Sequence, residues 1–410
     1  MLKPFQTTLG AHAPRASRVV LLAGAICSMS ASLAAPGDEG FDLLAGLGYF
    51  HDDNLFRLPD EHPGFDGQRS DSARQAHAGL LFNKTYGRQE VYAQAKFTKV
   101  EFDRFDQLDY DGKDVQARWN WQLGNRLDGV LGANYAQTLA PYTDFRSNRR
   151  NLREHRRQYF DGAWRFHPGW RARTAASRDK YTYELLVQRF NDRTEDAVEI
   201  GGDYLPRSGS TVGLVARRIK GNYLNRRMFG GLSLDERFEQ EELKARINWI
   251  ASGSTMVQVL AGHARRKYRA RSERDASGFN GRITAVHQPR GKMRYTAAAW
   301  REFSAVESNV ISYSLNRGAS AAASWEATAK IRVDANASIE KRSYNARVPL
   351  NAAQDLDDSL KQASLSATWN PRRTVALTAA LARQERSGSP FLGLGRFKAN
   401  TVSLAANLQF

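Results

Sequence analysis

Apolar and polar residues alternate with a period of two along most of the chain beyond residue 34. The clearest case is the segment 331–340, in which every odd position is apolar and every even position is polar. The segments 115–122, 243–249 and 402–410 repeat this pattern, and no segment sustains the spacing of an amphipathic helix. Because successive side chains of a strand point to opposite faces, the alternation predicts strands with one apolar face and one polar face.

Short turns and long polar loops alternate between these predicted strands. Most of the short turns are marked by Gly, Pro, Asn or Ser, residues that favour tight reversals of the chain. Eight short turns and nine longer loops give 17 connections, and therefore about 18 strands, with 16 as the lower count. The predicted turns are 86–88, 124–125, 167–169, 207–209, 252–254, 289–291, 326–327 and 370–372, and the predicted loops include 51–72, 139–156, 184–195, 222–239 and 344–358.

The tryptophans indicate what the apolar faces contact. All of them except Trp300 lie within about five residues of a predicted short turn and share the apolar parity of their strands, as an aromatic girdle at a membrane interface would. The apolar faces are also rich in Ala and Gly, which would fill the core of a soluble β-sandwich poorly but suit fluid lipid. We therefore predict an all-β fold, a transmembrane up-and-down antiparallel β-barrel with short periplasmic turns and long outer loops; the soluble β-sandwich is the alternative.

Composition restricts the class of protein further. The chain has 410 residues, of which 41% are hydrophobic, and this excludes a polytopic helical membrane protein. The formal net charge is +17, and Arg outnumbers Lys by more than three to one. Guanidinium groups bind carboxylate, phosphate or sulfate in fork geometry, so an anionic partner is expected. Nucleic acid would be the usual partner in the cytoplasm.

The N-terminus has the pattern of an export signal. Lys3, Arg15 and Arg18 precede an apolar run at 19–26, and Ser32-Leu33-Ala34 fits a small-x-small cleavage site. We predict a signal peptide at residues 1–34 and a mature barrel at residues 35–410. The chain's one cysteine, Cys27, would leave with the signal, so the mature chain has neither disulfides nor thiol metal sites. Export also argues against nucleic acid as a partner.

Two segments resemble known outer-membrane proteins. The terminal run 402–410 looks like the last strand of outer-membrane barrels, and the resemblance implies that Leu408 and Phe410 form the signal read by the barrel-insertion machinery. The segment 46–60, and DDNLFRLPD within it most of all, resembles the N-terminal part of outer-membrane barrel proteins encoded with exopolysaccharide biosynthesis genes, the EpsL-type porin-like family. This second resemblance implies export of a secreted polysaccharide in cooperation with periplasmic export components.

If the apolar parity faces lipid, the opposite parity faces the lumen. Arginines there would concentrate an anionic solute and hold carboxylates such as those of uronates, with Asp161, Asp334 and Glu340 among the acidic counterparts. The alternative is that these basic residues pair with lumen acids and only stiffen the wall. The candidate substrate-binding residues of the lumen are Lys96, Arg118, Arg157, Arg165, Arg171, Arg173, Lys244, Arg246, Arg282, Arg294 and Arg332.

Two predicted loop clusters are dense in arginine. The first, 146–157, includes Arg149, Arg150 and Arg153, and the second comprises 265–271 with Arg274. One interpretation is a pore-mouth or inward-folded constriction that steers an anionic polymer; the other is a solvated surface that contacts outer-membrane lipid and lipopolysaccharide phosphates.

Other chemistry receives little support from the sequence. Asp52, Asp53, Asn54 and Asp60 could ligate Ca²⁺, but an Asx-rich corner explains them better, and we predict neither a metal nor a cofactor. The GxSxG and HExxH patterns are absent, which argues against an enzyme. The expected function is passive export of an anionic exopolysaccharide. The alternatives are a non-conducting scaffold of a polysaccharide secretion complex and a general anion or oligosaccharide uptake porin.

Overall fold

A computed structural model of the chain describes residues 40–143, 145–229, 232–270, 272, 275–305, 313–344, 357–388 and 395–410. The predicted signal peptide lies outside the described residues. No helix in the described ranges is long and apolar enough to cross a membrane.

The described chain is built almost entirely from long strands, as the alternation predicts. The strands are β1 (Gly40–Asp52), β2 (Asp71–Tyr86), β3 (Gln89–Phe102), β4 (Tyr110–Leu123), β5 (Leu127–Leu139), β6 (Leu152–His167), β7 (Trp170–Tyr183), β8 (Arg193–Tyr204), β9 (Thr211–Tyr223), β10 (Arg227–Phe229), β11 (Leu232–Leu234), β12 (Phe238–Ser252), β13 (Thr255–Tyr268), β14 (Ala276–His287), β15 (Met293–Ala305), β16 (Tyr313–Glu326), β17 (Ile331–Tyr344), β18 (Asp357–Arg372), β19 (Val375–Ser387) and β20 (Phe397–Gln409). Two short 3₁₀ turns, Asp106–Leu108 and Leu186–Asn191, lie in connecting loops.

Eighteen of these strands form one closed antiparallel sheet, and β10 and β11 form a separate small hairpin. Each barrel strand pairs with its neighbours in sequence, and β9 pairs with β12 across the hairpin. The first and last strands close the barrel through a register that runs from Leu44 opposite Gln409 to Asp52 opposite Thr401. Leu43 and Phe410 exchange backbone hydrogen bonds of 2.8 and 3.0 Å at the end of this seam. The predicted 18-stranded barrel is confirmed.

The outer wall carries the apolar parity. Large side chains such as Leu47 and Leu214 are exposed there because no protein covers them. Exposed tryptophans, among them Trp249 and Trp325, lie on the outer wall near the short-turn end of the barrel, in agreement with an interfacial girdle. Phe410 also points outward and is 64% exposed.

The connections differ at the two ends of the barrel. At one end they contain two to six residues, and at the other they are mostly longer. We name the longer ones described in full or nearly so L1 (53–70), L2 (103–109), L3 (140–151), L4 (184–192) and L5 (224–237). The short-turn end is the predicted periplasmic side.

The predicted boundaries of one loop and one turn need correction here. The predicted loop 139–156 extends five residues too far, because β6 begins at Leu152 and its alternating side chains extend both adjoining ladders. The predicted turn 370–372 belongs to β18, and the reversal occupies residues 373–374. The register shifts between Trp369 and Arg372. A bulge accommodates Pro371, which has no N–H for the ladder.

Candidate functional site

The predicted lumen cations lie on the inner wall of the barrel, because each occupies a position of the polar parity of its strand. Most of them lie beside carboxylates of the same wall, which fits the alternative that the charges stiffen the barrel. The recorded pairs are Arg118 with Glu90 at 3.7 Å, Arg157 with Asp179 at 3.6 Å, Arg171 with Asp203 at 2.7 Å, Arg173 with Asp161 at 2.5 Å, Lys244 with Glu242 at 2.8 Å, Arg246 with Asp203 at 2.7 Å, Arg282 with Glu302 at 3.7 Å and Arg332 with Asp334 at 2.9 Å.

Three predicted cations differ from this pattern. Lys96 is buried in the inner wall and stands opposite Asp114 in the β3–β4 register. Arg165 and Arg294 lie near the short-turn end of the barrel and are exposed. Within the described ranges, no carboxylate is recorded within 4 Å of either guanidinium, so the short-turn end carries these two positive charges without a paired acid.

A cavity of about 490 Å³ lies against the inner wall between β4 and β9. Its lining carries both signs of charge together with hydroxyl and amide groups. Two of the guanidinium groups that line it, those of Arg118 and Arg157, lie 3.7 and 3.6 Å from their carboxylate partners, which is too far for direct hydrogen bonds, so both retain donors for a solute. The polar lining residues are Asp114, Gln116, Arg118, Asn134, Tyr135, His155, Arg157, Tyr159, Asp161, Ser177, Glu199 and Arg217.

Two aromatic rings lie flat on the inner wall because a glycine faces each of them. A Cβ atom on Gly132 would lie 2.4 Å from the Tyr159 ring, and one on Gly318 would lie 2.4 Å from the Trp300 indole. The Trp300 indole N–H also donates to Glu340 at 2.8 Å, and the Arg282 guanidinium lies 4.5 Å from the ring centroid. Trp300 therefore belongs to the lumen, which explains why it lies apart from the tryptophan girdle.

L1 folds into the outer mouth of the barrel, and polar groups anchor it there. Arg57 donates to both carboxylate oxygens of Asp52, at 2.9 Å each, and to the side-chain oxygen of Gln384 on β19 at 2.9 Å. The Asn54 amide group donates to the backbone oxygen of Lys398 at 2.8 Å. Arg57 adopts a φ of 56°, a conformation that is uncommon outside glycine, and these bonds hold it there.

Phe56 connects L1 with the two following loops. Its side chain is fully buried and packs edge-on against Phe65, Phe105 and Tyr142, at centroid distances of 4.8, 4.8 and 5.1 Å. Burial among these rings raises the pKa of Tyr142. L1, L2 and L3 therefore share an apolar cluster that fills the mouth on the side of β1–β4. The inner-wall residues that complete this cluster are Phe50, Ala73, Val100, Phe102 and Tyr110.

L3 crosses the mouth from β5 towards β19 and β20. The backbone oxygen of Thr143 accepts a hydrogen bond from Arg386, whose side chain is fully buried beside Asp358. Arg146 donates to the backbone oxygen of Gly395 at 3.0 Å, and its guanidinium lies 5.8 Å from the centroid of the Phe397 ring. L3 is thus folded over the mouth, where Thr143 and Arg146, the first residue of the predicted arginine cluster, hold it.

The rest of the first arginine cluster divides between loop and strand. Arg149 is exposed in L3, whereas Arg150 pairs with Glu184 of L4 at 2.8 Å. Burial alone would raise the pKa of Glu184, but its hydrogen bonds with Arg150 and with the Leu152 N–H, together with the Arg150 charge, lower that pKa below its ordinary value. The prediction that Arg153 lies in a loop is wrong, because it stands on β6 opposite Tyr183.

The second arginine cluster is also mainly strand. Residues 265–268 end β13, which corrects their prediction as a loop, while Arg271 and Arg274 lie outside the described residues. On β13 the polar parity turns Arg266 inward, where it lies 4.0 Å from the Phe238 ring centroid.

The acidic segment of L1 forms the Asx corner that the sequence favours over Ca²⁺. The Asn54 N–H donates to the Asp52 carboxylate at 2.9 Å, which closes an Asx turn. Asp53 accepts the backbone and side-chain N–H groups of Asn400 at 2.7 and 2.6 Å. Both carboxylates therefore hold L1 to the closing strands of the barrel.

Several residues that shape the mouth were not singled out by the sequence reasoning. Arg57, Arg386 and Asp358 are the most important of them. For Arg57 a sequence signal exists, since Leu55, Phe56 and Leu58 form an apolar group inside a predicted polar loop. For Arg386 and Asp358 no signal exists without the strand register.

A closed 18-stranded barrel with an apolar outer belt and a polar interior is a transmembrane β-barrel of the outer-membrane type.

No protein-family model matches the chain, and no curated protein matches it in sequence. Solved structures with a similar fold include Pseudomonas aeruginosa OccK9 (12% identity, TM-score 0.49, covering 91% of this chain and 99% of that one). OccK2 of the same organism, solved in complex with glucuronate, is 12% identical with a TM-score of 0.47, covering 91% and 98%. The P. aeruginosa outer membrane protein OpdK is 10% identical with a TM-score of 0.48, covering 91% and 100%. At these identities the likeness concerns the barrel and does not extend to a substrate.

Proposed function

We propose that the protein is a passive outer-membrane channel for small anionic solutes, with acidic sugars as the substrate class. The observation that carries this proposal is the cavity between β4 and β9, where Arg118 and Arg157 hold their carboxylate partners at 3.7 and 3.6 Å. At these distances a solute carboxylate can replace the wall carboxylate and form the hydrogen bonds that the wall does not. The exchange preserves the charge around each guanidinium, so the free-energy cost is low both when the solute binds and when it is released.

The structure of the mouth favours a small solute over a wide polymer as the substrate. L1 and L3 cross the outer end and contact β19, and the cavity that would form the passage lies along β4–β9. A cavity of about 490 Å³ suits a mono- or disaccharide. Tyr159 adds an apolar ring face that can pack on a sugar ring beside the guanidinium groups.

The proposal can be tested by planar-bilayer recording of the folded mature protein. We expect an open channel with anion preference, through which glucuronate permeates faster than glucose. The variant Arg118→Glu/Arg157→Glu should lose or reverse the preference. The matched control Arg178→Glu/Arg218→Glu, which changes two arginines of the outer wall, should keep it. A channel that conducts but retains its anion preference in the first variant would show that this cavity is not the path.

The second candidate function is export of an anionic exopolysaccharide. It is supported by the resemblance of the segment 46–60 to barrels encoded with polysaccharide biosynthesis genes. Export would require L1 and L3 to leave the mouth. An anionic polysaccharide added on the short-turn side should then block the current at low concentration, whereas a small-solute channel would be blocked by acidic sugars alone. A barrel that never conducts would instead support the scaffold function.

A further inference from the structure

We propose that the outer wall of β15–β17 binds a phosphorylated, multiply acylated glycolipid of the outer leaflet. The site consists of Arg301, Arg317 and Lys341, which stand directly opposite one another on three adjacent strands. We call these three residues the cationic row. All three have the outward parity of their strands. The inference is independent of what the barrel conducts.

No acid stands directly opposite a member of the cationic row, and the outward carboxylate Asp357 of β18 lies one ladder row away, opposite Ser343. The described outward positions of β14–β17 contain no Asp or Glu, and within the described ranges no ion pair involves the three side chains. Like charges directly opposite on neighbouring strands are destabilising. Arg301 donates to the backbone oxygen of Phe279, which fixes the guanidinium without neutralising it. The row therefore favours binding of an anion from outside the chain.

Several other basic residues of the outer rim are neutralised by the protein. Arg178 pairs with Asp196 at 2.6 Å and Lys99 with Glu101 at 2.7 Å, both on the outer wall. Arg218 likewise pairs with Glu239. The cationic row differs from these three positions, because each of them has an acid beside it on the same strand or the next, whereas each member of the row stands opposite another cation.

The height of the cationic row matches the phosphate level of a bilayer. Trp325, in the periplasmic girdle, lies eight positions from Arg317 along β16. At about 3.3 Å per residue and a tilt of about 40°, this separation spans roughly 20 Å along the membrane normal, near the upper edge of a ~25 Å apolar band. Long basic side chains at that edge extend their charges to the headgroups.

The wall below the cationic row is unusually smooth. Tyr295, Ala323 and Ala335 form one cross-strand row, and the two rows nearer the cations are also made largely of alanine. The central row runs through five adjacent strands, Ala285, Ala297, Ala321, Ala337 and Ala363. Most of the remaining wall carries ridges of Leu, Phe, Val and Ile. A flat panel lets several acyl chains of one lipid lie side by side in contact with the wall, beneath its phosphates.

A second copy of the chain is a poor occupant of this face. Two copies in one membrane share the same orientation, so a two-fold contact through the alanine panel would bring both cationic rows to the same height. Six positive groups would then face one another, which opposes the contact. A lipid phosphate removes that repulsion.

The test measures lipid binding by the folded mature protein in phosphatidylcholine nanodiscs, with native mass spectrometry as the readout. Bisphosphorylated lipid A is the probe, and its dephosphorylated form is the chemical control. We expect the wild type to retain lipid A and to bind the dephosphorylated form at least about tenfold more weakly. The variant Arg301→Gln/Arg317→Gln/Lys341→Gln should show a similar loss for lipid A.

A matched variant removes three charges from acid-paired rim positions, Arg178→Gln/Arg218→Gln/Arg383→Gln, and should bind lipid A as the wild type does. A further variant, Ala297→Phe/Ala321→Phe, leaves the charges in place and should weaken binding by roughening the panel. Equal retention by the cationic-row variant and the wild type would overturn the proposal. An equal loss in the matched variant would also overturn it, since binding would then depend on general charge.

Discussion

Arg57 holds Asp52 through two parallel hydrogen bonds of 2.9 Å, although one residue lies in a loop and the other ends the first strand. The side chains are 9% and 2% exposed, so the pair is buried at the mouth of the barrel. Thr401 of the last strand donates to the same carboxylate at 2.7 Å. The position of L1 is therefore coupled to the seam at which the barrel closes.

Replacing Arg57 by Ala should open the mouth without unfolding the barrel. The change leaves the Asp52 carboxylate buried without its cation, a loss of about 3–5 kcal/mol for such pairs, which favours release of L1. Planar-bilayer recording should show a conductance rise of roughly twofold or more, as for local opening of a loop. Arg178→Ala, which removes an exposed pair on the outer wall, is the control. An unchanged conductance in Arg57→Ala would mean that L1 does not obstruct the passage.

Replacing Gly318 by Leu should narrow the lumen. The new side chain would occupy the space of the Trp300 indole and push the ring away from the wall. We expect a lower single-channel conductance and loss of the hydrogen bond from Trp300 to Glu340, visible as a shifted tryptophan emission. Gly202→Leu is a suitable comparison, because a Cβ there meets no atom within 4 Å. If both variants conduct alike, the indole lies off the permeation path.

Acidification should release L3 from L4. The pKa of Glu184 is lowered in the folded chain, so its contribution to stability is present above the ordinary value of 4.5 and is lost as the pH falls through the lowered pKa. Wild-type current noise should therefore increase below about pH 4.5, whereas Glu184→Gln should show the increased noise already at pH 7. Glu241→Gln, at an exposed position on β12, should behave as the wild type. Identical pH profiles for wild type and Glu184→Gln would contradict this assignment.

The pair of Arg386 and Asp358 should show strong coupling in a double-mutant cycle. Removing either partner alone leaves a charge buried at 0% or 1% exposure, which costs about 3–5 kcal/mol for such pairs. The double variant Arg386→Met/Asp358→Leu removes both charges and should lose less stability in urea unfolding than the sum of the two single variants. Additive losses would show that the two side chains act independently.

The strands could be predicted because a barrel wall divides lipid from polar lumen at every residue. The segment 331–340 alternates without exception, and the structure places it in β17. The failures occur where local pattern competes with pairing. Arg153, in an arginine-dense run that was interpreted as loop, joins β6 because it pairs with Thr138 of β5 on one side and with Tyr183 of β7 on the other.

The mouth could not be predicted from periodicity, since its contacts join residues far apart in the sequence. Arg57 reaches Gln384, and Arg386 reaches Thr143. Each contact depends on which strands become neighbours when the barrel closes, and no local pattern encodes that. The cationic row has the same origin, because Arg301, Arg317 and Lys341 become neighbours only through the register.

Both inward-folded loops rest on the same two strands. L1 reaches Gln384 and Lys398, and L3 reaches Arg386 and Gly395, so β19, β20 and Gly395 anchor both loops on this side of the mouth. Any solute, ion or bilayer strain that displaces β19 and β20 would break these contacts of L1 and L3 in one concerted step. The entrance should consequently switch between two discrete conductance levels instead of widening by degrees.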